Sequence, residues 1–251
     1  MRKLGIIIPA FNEEKTIGQV LYNVRTYARF IDTKAFIIIV NDGSTDNTLK
    51  KINEEMKASK IFESINVKLV IFNNKKNIGQ TQSINKALKH LKEKCNFKND
   101  DIVVLQDADG EFPESFIKKA YEILINDDYK TTLISGIYGS RFINRKPKSS
   151  KLIRYLGIKT FTFLINKFFN NYLLLTDAFT GSKAFFYGKL KNLESEKFTL
   201  NTEITIKLLQ QGEIIEIPIC YEYRKYGISK FRLFKDGWQN FKYLLKKIYE
   251  K

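Results

Sequence analysis

The sequence predicts an α/β protein with a mostly parallel central sheet flanked by helices. Two observations support this fold class. Short apolar runs rich in β-branched residues alternate with longer stretches of helical periodicity. The chain of 251 residues, 43% of them apolar, is also long enough to bury one large core. In sheets of this kind ligands bind outside the carboxyl ends of the strands.

The first four strands and the helices after them follow from the positions of the apolar runs. Each helix has apolar residues at spacings of three and four, and the fourth carries Pro113 in its first turn, where a missing N–H costs no hydrogen bond. The predicted strand and helix pairs are Leu4–Pro9 and Glu13–Phe30, Ala35–Val40 and Asp46–Ser59, Val67–Phe72 and Gln80–Glu93, and Asp101–Gln106 and Pro113–Ile125.

The second half of the chain adds a predicted strand over Thr131–Arg141, a basic loop at residues 144–151 and two Phe-rich helices. The first helix covers Lys151–Asn170, and the second closes the chain with apolar residues interleaved with lysines. Basic amphipathic helices can lie in a membrane interface, although both can equally pack on the sheet.

We divide the chain into a domain at residues 1–230 and a C-terminal basic amphipathic helix at residues 231–251. That helix is either part of the same domain or a membrane-surface anchor.

The charge of the chain predicts an anionic partner. Lys and Arg number 43 against 27 Asp and Glu, a formal net charge of +16. Nucleic acid, an anionic membrane surface or phosphorylated substrates would each satisfy this excess, and so would a merely solvated, Lys-rich surface.

The rare residue types exclude several chemistries. His90 is the single histidine, so a multi-histidine metal site is impossible and a Ser-His-Asp triad is disfavoured. Cys95 and Cys220 are far apart and no signal-peptide pattern is present, so we expect an intracellular protein with free thiols. No apolar run approaches the roughly 18 to 20 residues that cross a bilayer.

Two aspartates one residue apart follow the fourth predicted strand. Asp107 and Asp109 would point the same way if the strand continued, and a turn at Gly110 would bring Glu111 close to them. Carboxylate oxygens suit Mg²⁺ or Mn²⁺, which commonly bridge protein carboxylates and substrate phosphates. Taken alone, the pattern is equally typical of turns and helix caps.

Seven short motifs are spread over nearly the whole chain. They are Ile8–Glu14, Val40–Thr48, Asn77–Gln80, Gln106–Asp109, Tyr138–Phe142, Thr176–Lys183 and Arg224–Lys230. With these motifs in this order, the sequence resembles family-2 glycosyltransferases of the GT-A fold, and within them the dolichyl-phosphate mannose and dolichyl-phosphate glucose synthase group. The resemblance implies a Rossmann-like sheet and a nucleotide-sugar site.

The resemblance implies that Pro9, Asn12, Glu13 and Asp42 line the nucleotide pocket, with Asp42 near the base or ribose. A carboxylate there can accept hydrogen bonds from ribose hydroxyls or a base N–H. The family often has a second Asp where this chain has Asn41, so the choice of base stays open.

The resemblance also implies the metal and phosphate ligands. Asp107 and Asp109 match the carboxylates that bind metal and diphosphate, and Glu111, where many members carry Gln, is a candidate third metal ligand. Arginine suits bidentate phosphate recognition. The cations at matching positions are Arg141, Arg224 and Lys230 for the acceptor phosphate or donor diphosphate, with Lys151, Arg154 and Lys183 as further ligands.

The implied reaction moves a hexose, with inversion, from a GDP-mannose or UDP-glucose type of donor to a polyprenyl or dolichyl monophosphate. The implied cofactors are Mg²⁺ or Mn²⁺ and the nucleotide sugar. The expected partners are the lipid acceptor, an anionic membrane surface and a membrane protein, with no nucleic acid. We expect peripheral attachment at the cytoplasmic face of a membrane.

Two alternatives differ in chemistry. A transferase that acts on a glycan hydroxyl needs a general base, and Glu203 lies where related transferases place a catalytic carboxylate; we interpret it first as a donor-sugar or structural residue. The second alternative is a basic nucleic-acid-binding or adaptor protein without catalysis, which predicts no clustering of carboxylates in one cleft.

Overall fold

The computed structural model describes residues 1–61, 66–127, 133–143, 152–170, 173–190, 192–195, 199–226 and 232–250. Within these ranges seven strands and seven α-helices follow one another. The strands are β1 (Leu4–Ala10), β2 (Ala35–Asn41), β3 (Val67–Asn73), β4 (Ile102–Leu105), β5 (Ile134–Ser140), β6 (Lys183–Phe186) and β7 (Glu213–Pro218). The helices are α1 (Ile17–Arg29), α2 (Thr48–Ile61), α3 (Gln80–Cys95), α4 (Ser115–Ile125), α5 (Leu152–Phe169), α6 (Leu200–Leu209) and α7 (Leu233–Tyr249).

The strands form one sheet in the order β3-β2-β1-β4-β6-β5-β7. β1 pairs in parallel with β2 and β4, β2 with β3, and β5 with β7. Only β6, among the described strands, runs antiparallel, and it does so to both of its neighbours. The predicted α/β class with a mostly parallel, helix-flanked sheet is confirmed.

Side chains of the central strands alternate between two core layers. Ile6 and Ile8 of β1 belong to the layer that includes side chains of α1, α2 and α4, whereas Ile7 belongs to the layer that includes side chains of α3, α5, α6 and α7. Because both faces of the sheet are covered, the strands are continuous apolar runs instead of alternating ones. These two layers hold the strand ends rigidly, which positions the polar loops that follow them.

Three helices, α1, α2 and α4, begin later than the sequence predicts, α4 at Ser115 instead of Pro113. At α1 and α2 loop contacts take the residues before the helix. The turn at Glu13–Thr16 precedes α1, and the Glu13 N–H donates to Thr48 Oγ1 at 2.8 Å. α2 begins at Thr48, whose N–H donates to Asp46 Oδ1 at 2.9 Å. Helix termini are satisfied by such side-chain acceptors.

The prediction left out β6, α6 and β7, which the structure adds at the far end of the sheet. The predicted strand from Thr131 begins at Ile134, and Thr131 itself and the basic loop at residues 144–151 lie outside the described residues.

The two Phe-rich helices pack on the sheet and also present apolar side chains to solvent. α5 buries Ile165 and Phe169 but leaves Ile153 71% and Phe163 62% exposed. α7 buries Leu244, and its Trp238 is 58% exposed.

No helix in the described ranges combines the length and the apolar character that crossing a membrane requires.

Gly43 allows the loop after β2 to lie directly on a neighbouring loop. Its φ is +69°, and a Cβ there would lie 2.4 Å from the carbonyl carbon of Lys76. We expect Gly43→Ala to lower the free energy of unfolding by about 2 to 4 kcal/mol, from backbone strain and the clash. Urea denaturation measures this.

The matched control is Gly18→Ala in α1, where a Cβ meets nothing within 4 Å. Alanine there should raise the free energy of unfolding by roughly 0.5 to 1 kcal/mol, because glycine is a poor helix former. Equal denaturation midpoints for the two variants would contradict the prediction.

Candidate active site

A cleft of about 760 Å³ lies at the carboxyl ends of the parallel strands. The loops after β1, β2, β4 and β5 line it, and antiparallel β6 begins at the same edge and contributes Lys183. The sequence-predicted site residues that line this cleft are Pro9, Glu13, Asp42, Asp107, Asp109, Arg141, Arg154, Lys183 and Arg224.

The other predicted site residues have different positions. Among the described residues, Asn12, Glu111 and Glu203 are not part of the cleft wall. Lys151 and Lys230 lie outside the described residues.

Asn12 joins the loops that follow β1 and β2. It adopts a left-handed conformation with φ 55°. Its N–H donates to Ser44 Oγ at 3.0 Å, and its Oδ1 accepts the N–H of Thr45 at 2.8 Å. The side chain therefore positions the loop after β1 against the loop after β2.

Asp42 holds a third loop in place. It is 3% exposed, and its carboxylate accepts the N–H groups of Ile78 and Gly79, each at 2.9 Å, and Nδ2 of Asn74 at 3.0 Å. The contacts described for Asp42 thus shape the pocket wall. Its role toward a base or ribose stays a prediction.

Asp107 and Asp109 are loop residues, because β4 already ends at Leu105. The expectation that strand alternation orients them is therefore wrong, although Gly110 does form the predicted turn, with φ +71°. The loop brings both carboxylates to the cleft by turn geometry. The Glu111 N–H donates to Asp109 Oδ1 at 3.0 Å within that turn.

Lys183 is 1% exposed, and Asp107 is half-buried beside it in the cleft wall. A Cβ at Gly181 would lie 2.0 Å from Asp107 Oδ2, so only glycine leaves room for this carboxylate. Burial raises the pKa of Asp107, with the charge of Asp109 adding to the effect, and burial lowers the pKa of Lys183. Lys183 Nζ donates to the Thr180 carbonyl and to Asn201 Oδ1. A ligand of opposite charge would stabilise the charged form of each group.

Arg224 lies among three carboxylates. It donates to Asp109 at 2.6 Å, to Glu111 at 3.0 Å and to Glu13 at 3.3 Å. Glu111 also accepts the hydroxyl of Tyr221 at 2.5 Å. The structure therefore places this candidate third metal ligand against Arg224 and Tyr221. In the described part of the chain, no three His, Cys, Asp or Glu side chains are arranged to hold a metal ion.

Arg141 is held by a residue that the sequence analysis did not select. Its Nε and Nη2 donate to the two oxygens of Asp177, at 2.7 and 2.8 Å, and Asp177 is fully buried. Burial opposes the charge of Arg141, but Asp177 outweighs it and raises the pKa of the guanidinium. The sequence signal that could have identified Asp177 is its position within the Thr176–Lys183 motif.

The cleft continues from these charges along an apolar wall. Ile153, Leu156 and Phe161 of α5 line it, and Arg154 lies on the same helix. Gly237 of α7 also faces the cleft. One cavity therefore has a charged end and an apolar end.

Glu203 of α6 is 1% exposed and turned toward the protein interior. Its carboxylate accepts the N–H groups of Glu194 and Ser195, at 2.9 and 2.8 Å, and pairs with Lys207 at 2.7 Å. Burial alone would raise the pKa of Glu203, but these hydrogen bonds lower it. A carboxylate held in this way is a weak base.

Known proteins resemble the chain in sequence and in fold. The profile of the family described as Glycosyl transferase family 2 matches residues 5–193. A UDP-N-acetylglucosamine–dolichyl-phosphate N-acetylglucosaminyltransferase from Methanococcus voltae is 29% identical over 90% of this chain and 88% of its own. A dolichyl-phosphate beta-glucosyltransferase from Trichomonas vaginalis is 27% identical over 92% and 68%.

Among solved structures, glucosyl-3-phosphoglycerate synthase from Mycobacterium tuberculosis, in complex with Mn²⁺, UDP-glucose and phosphoglyceric acid, superposes with a TM-score of 0.69. Its sequence is 16% identical, and the match covers 98% of this chain and 80% of that one. The fold is that of a GT-A glycosyltransferase. Since the family profile matches most of its length, the chain belongs to glycosyl transferase family 2.

The contacts of Glu203 generate a prediction about its role. Glu203→Gln should retain most of the turnover, because the side chain faces backbone amides and not the cleft, and should lower the free energy of unfolding by about 1 to 3 kcal/mol. Steady-state transfer and urea denaturation measure the two effects. Loss of turnover by several orders of magnitude with donor binding intact would instead support the glycan-hydroxyl alternative.

The same substitution has a pH signature. Since the pKa of Glu203 in the folded state is lowered from 4.5, its carboxylate stabilises the fold above that pH, and the contribution is lost as the pH falls through the folded-state pKa. The stability difference between wild type and Glu203→Gln should therefore shrink in acid.

Proposed function

We propose that the protein transfers a hexose from a nucleotide sugar to the phosphate of a polyprenyl monophosphate, with inversion at the anomeric carbon. The observation that carries this proposal is the cleft itself, where the charged end at Asp107, Asp109 and Lys183 continues into the apolar wall of α5. A polyprenyl phosphate has the same two parts. The names of the relatives from M. voltae and T. vaginalis, which act on dolichyl phosphate, support the same acceptor class.

For the donor we propose a UDP-linked sugar. Pro9, Asp42 and Asn77 line the end of the cleft expected to hold the nucleotide. The M. voltae relative is named for UDP-N-acetylglucosamine, and the M. tuberculosis synthase binds UDP-glucose. Both favour UDP over GDP as the first donor to test.

A divalent cation fits the residues that are present. Asp107 and Asp109 offer hard carboxylate oxygens, the ligand type that Mg²⁺ and Mn²⁺ prefer. Three carboxylates surround Arg224, and the pKa of Asp107 is raised first by desolvation and then by the charges of Asp109 and Glu111. Asp107 and Asp109 would hold the ion, with diphosphate oxygens as the remaining ligands. The ion supplies electrostatic stabilisation of the leaving nucleoside diphosphate.

The protein groups would then orient the reactants and balance their charge. An oxygen of the acceptor phosphate attacks the anomeric carbon, and the bond from that carbon to the nucleoside diphosphate breaks. Lys183 and Arg141 would bind phosphate oxygens and stabilise the negative charge that develops. A phosphate monoester is already ionised near neutral pH, so the step requires no strong general base. The low basicity of Glu203 agrees with this chemistry.

We further propose that the enzyme works while bound to the cytoplasmic surface of a membrane. Ile153 and Phe163 of α5 and Trp238 of α7 are exposed apolar side chains on the two helices that flank the apolar end of the cleft. Insertion of such side chains beside lysines is typical of interfacial helices. A membrane-protein partner stays a prediction.

A donor screen tests the proposal directly. UDP- and GDP-sugars are each incubated with Mn²⁺ and a short polyprenyl phosphate, and the product is detected by mass. We expect a sugar phosphodiester with a UDP donor. Transfer to a glycan hydroxyl, with none to the lipid phosphate, would overturn the acceptor assignment. Steeply salt-dependent DNA binding, with no heat stabilisation by nucleotide sugar and Mn²⁺, would favour the nucleic-acid-binding alternative.

Asp109 provides the corresponding mutational prediction. Asp109→Ala should lower kcat by on the order of 100-fold or more, because a ligand of the cation that stabilises the leaving group is lost, and should weaken the heat stabilisation by UDP with Mn²⁺. The matched control is Asp100→Ala. Asp100 lies before β4, at the opposite end of the strand from Asp109, and the Asp100 side chain is 49% exposed. Metal-dependent transfer unchanged by Asp109→Ala would refute the proposed mechanism.

A further inference from the structure

Glu216 interrupts the apolar run of β7 and accepts three hydrogen bonds from a single turn. One carboxylate oxygen accepts the N–H of Asp177 at 2.7 Å. The other accepts both the N–H and the hydroxyl of Thr176, each at 2.7 Å. All three groups facing it are donors, so the site is complementary to a carboxylate and not to an amide, which would present an NH₂ group to one of them.

The turn that Glu216 holds is the one that holds Arg141. Asp177 accepts the guanidinium through both carboxylate oxygens and also the backbone N–H of Arg141 at 3.2 Å. Thr176 is tied to the end of β5 as well, through its 2.6 Å hydroxyl contact with Ser140. The guanidinium therefore cannot turn unless the Thr176–Asp177 turn moves with it.

Aromatic rings complete the confinement of this guanidinium. Its Cζ lies 5.2 to 5.6 Å from the ring centres of Phe112, Phe142 and Tyr221. Phe142 in turn contacts the ring of Tyr155 on α5, with centres 5.0 Å apart. Arginine has five N–H donors, and Asp177 uses two of them. Arg141 thus sits between the charged end of the cleft and the α5 wall, where the acceptor phosphate would bind.

We propose that Glu216 is a positioning residue that holds the Thr176–Asp177 turn so that Asp177 fixes Arg141 in the orientation that binds the acceptor phosphate. This role rests on the proposed function, because it assumes a phosphate acceptor beside α5. Glu216 does not line the cleft and acts through two intermediates. Burial raises the pKa of Glu216, and the hydrogen bonds from Thr176 and Asp177 oppose that effect.

A purely structural role for the same hydrogen bonds makes a different prediction. Such a role lowers the unfolding temperature and leaves the kinetic constants of the folded fraction unchanged. A positioning role alters how the folded enzyme binds its acceptor. The Michaelis constant for the acceptor, measured on folded protein, separates the two.

The test compares Glu216→Gln with Glu213→Gln, the same change at the first residue of β7. We expect Glu216→Gln to reduce kcat/KM by about 10- to 100-fold, mainly through a higher KM for the polyprenyl phosphate, as misplacement of a substrate-binding group does. Heat stabilisation by UDP with Mn²⁺ should match wild type, since the donor end is untouched. Glu213→Gln should match wild type in both.

A double-mutant cycle with Arg141→Lys then tests the route of the effect. Lysine keeps the charge but cannot form the bidentate pair with Asp177. If Glu216 acts through Arg141, Glu216→Gln should have little further effect on KM in the Arg141→Lys background. Thr176→Val, which removes one of the three donors, provides a milder variant if Glu216→Gln does not fold, and should raise the same KM by a smaller factor.

The proposal is overturned if Glu216→Gln behaves like Glu213→Gln. It is also overturned if the factors by which Glu216→Gln and Arg141→Lys each raise KM multiply in the double variant. Failure of the proposed function has a separate signature, since wild type would then transfer to no polyprenyl phosphate. The double-mutant cycle is in that case run on the acceptor that wild type does use. Non-additive effects of the two substitutions on the KM for that acceptor still support the positioning role, and additive effects refute it.

Discussion

The structure depends on the need to pair charged groups that are buried at one edge of the sheet. A buried ion without a partner is strongly unfavourable, and this edge holds several. Asp42 is satisfied by two amides of a neighbouring loop, Arg141 by Asp177, and Glu216 by the turn that contains Asp177. Each of these bonds joins segments that are distant in sequence. The loops around the cleft are therefore held in fixed positions by these paired charges.

The pairing is incomplete at the centre of the cleft, and that is where a ligand fits. Lys183 is buried and Asp107 half-buried, and their pKa values are displaced in the directions that desolvation of a charge produces. Perturbed groups in a cleft are typical of functional sites. The apolar wall of α5 starts nearby, so a ligand with a charged head and a hydrocarbon tail would satisfy both parts.

Particular elements show how far the sequence predicts the fold. β1, β2 and β4 were predicted within a residue or two, because strands covered on both faces are unbroken apolar runs. β6 has four residues and α6 is buried on most sides, so neither has the clear periodicity on which prediction relies. The start of α1 was misplaced because the Glu13 N–H donates to Thr48, a contact between distant segments that local sequence does not encode. α2 begins two residues later than predicted, after Asp46 has accepted the Thr48 N–H.

The sequence by itself determined the α/β class, the edge of the sheet where the polar loops meet, and the motifs that identify the family, because these depend on apolar periodicity and on local spacing. Only the tertiary structure decided which charges meet. It placed Glu111 against Arg224, Glu203 against the amides of residues 194 and 195, and Arg141 against Asp177. The physical reason is that ion pairing and desolvation depend on the distance between two charged groups and on their burial. Residues that are separated in sequence reach those distances only after the sheet has formed.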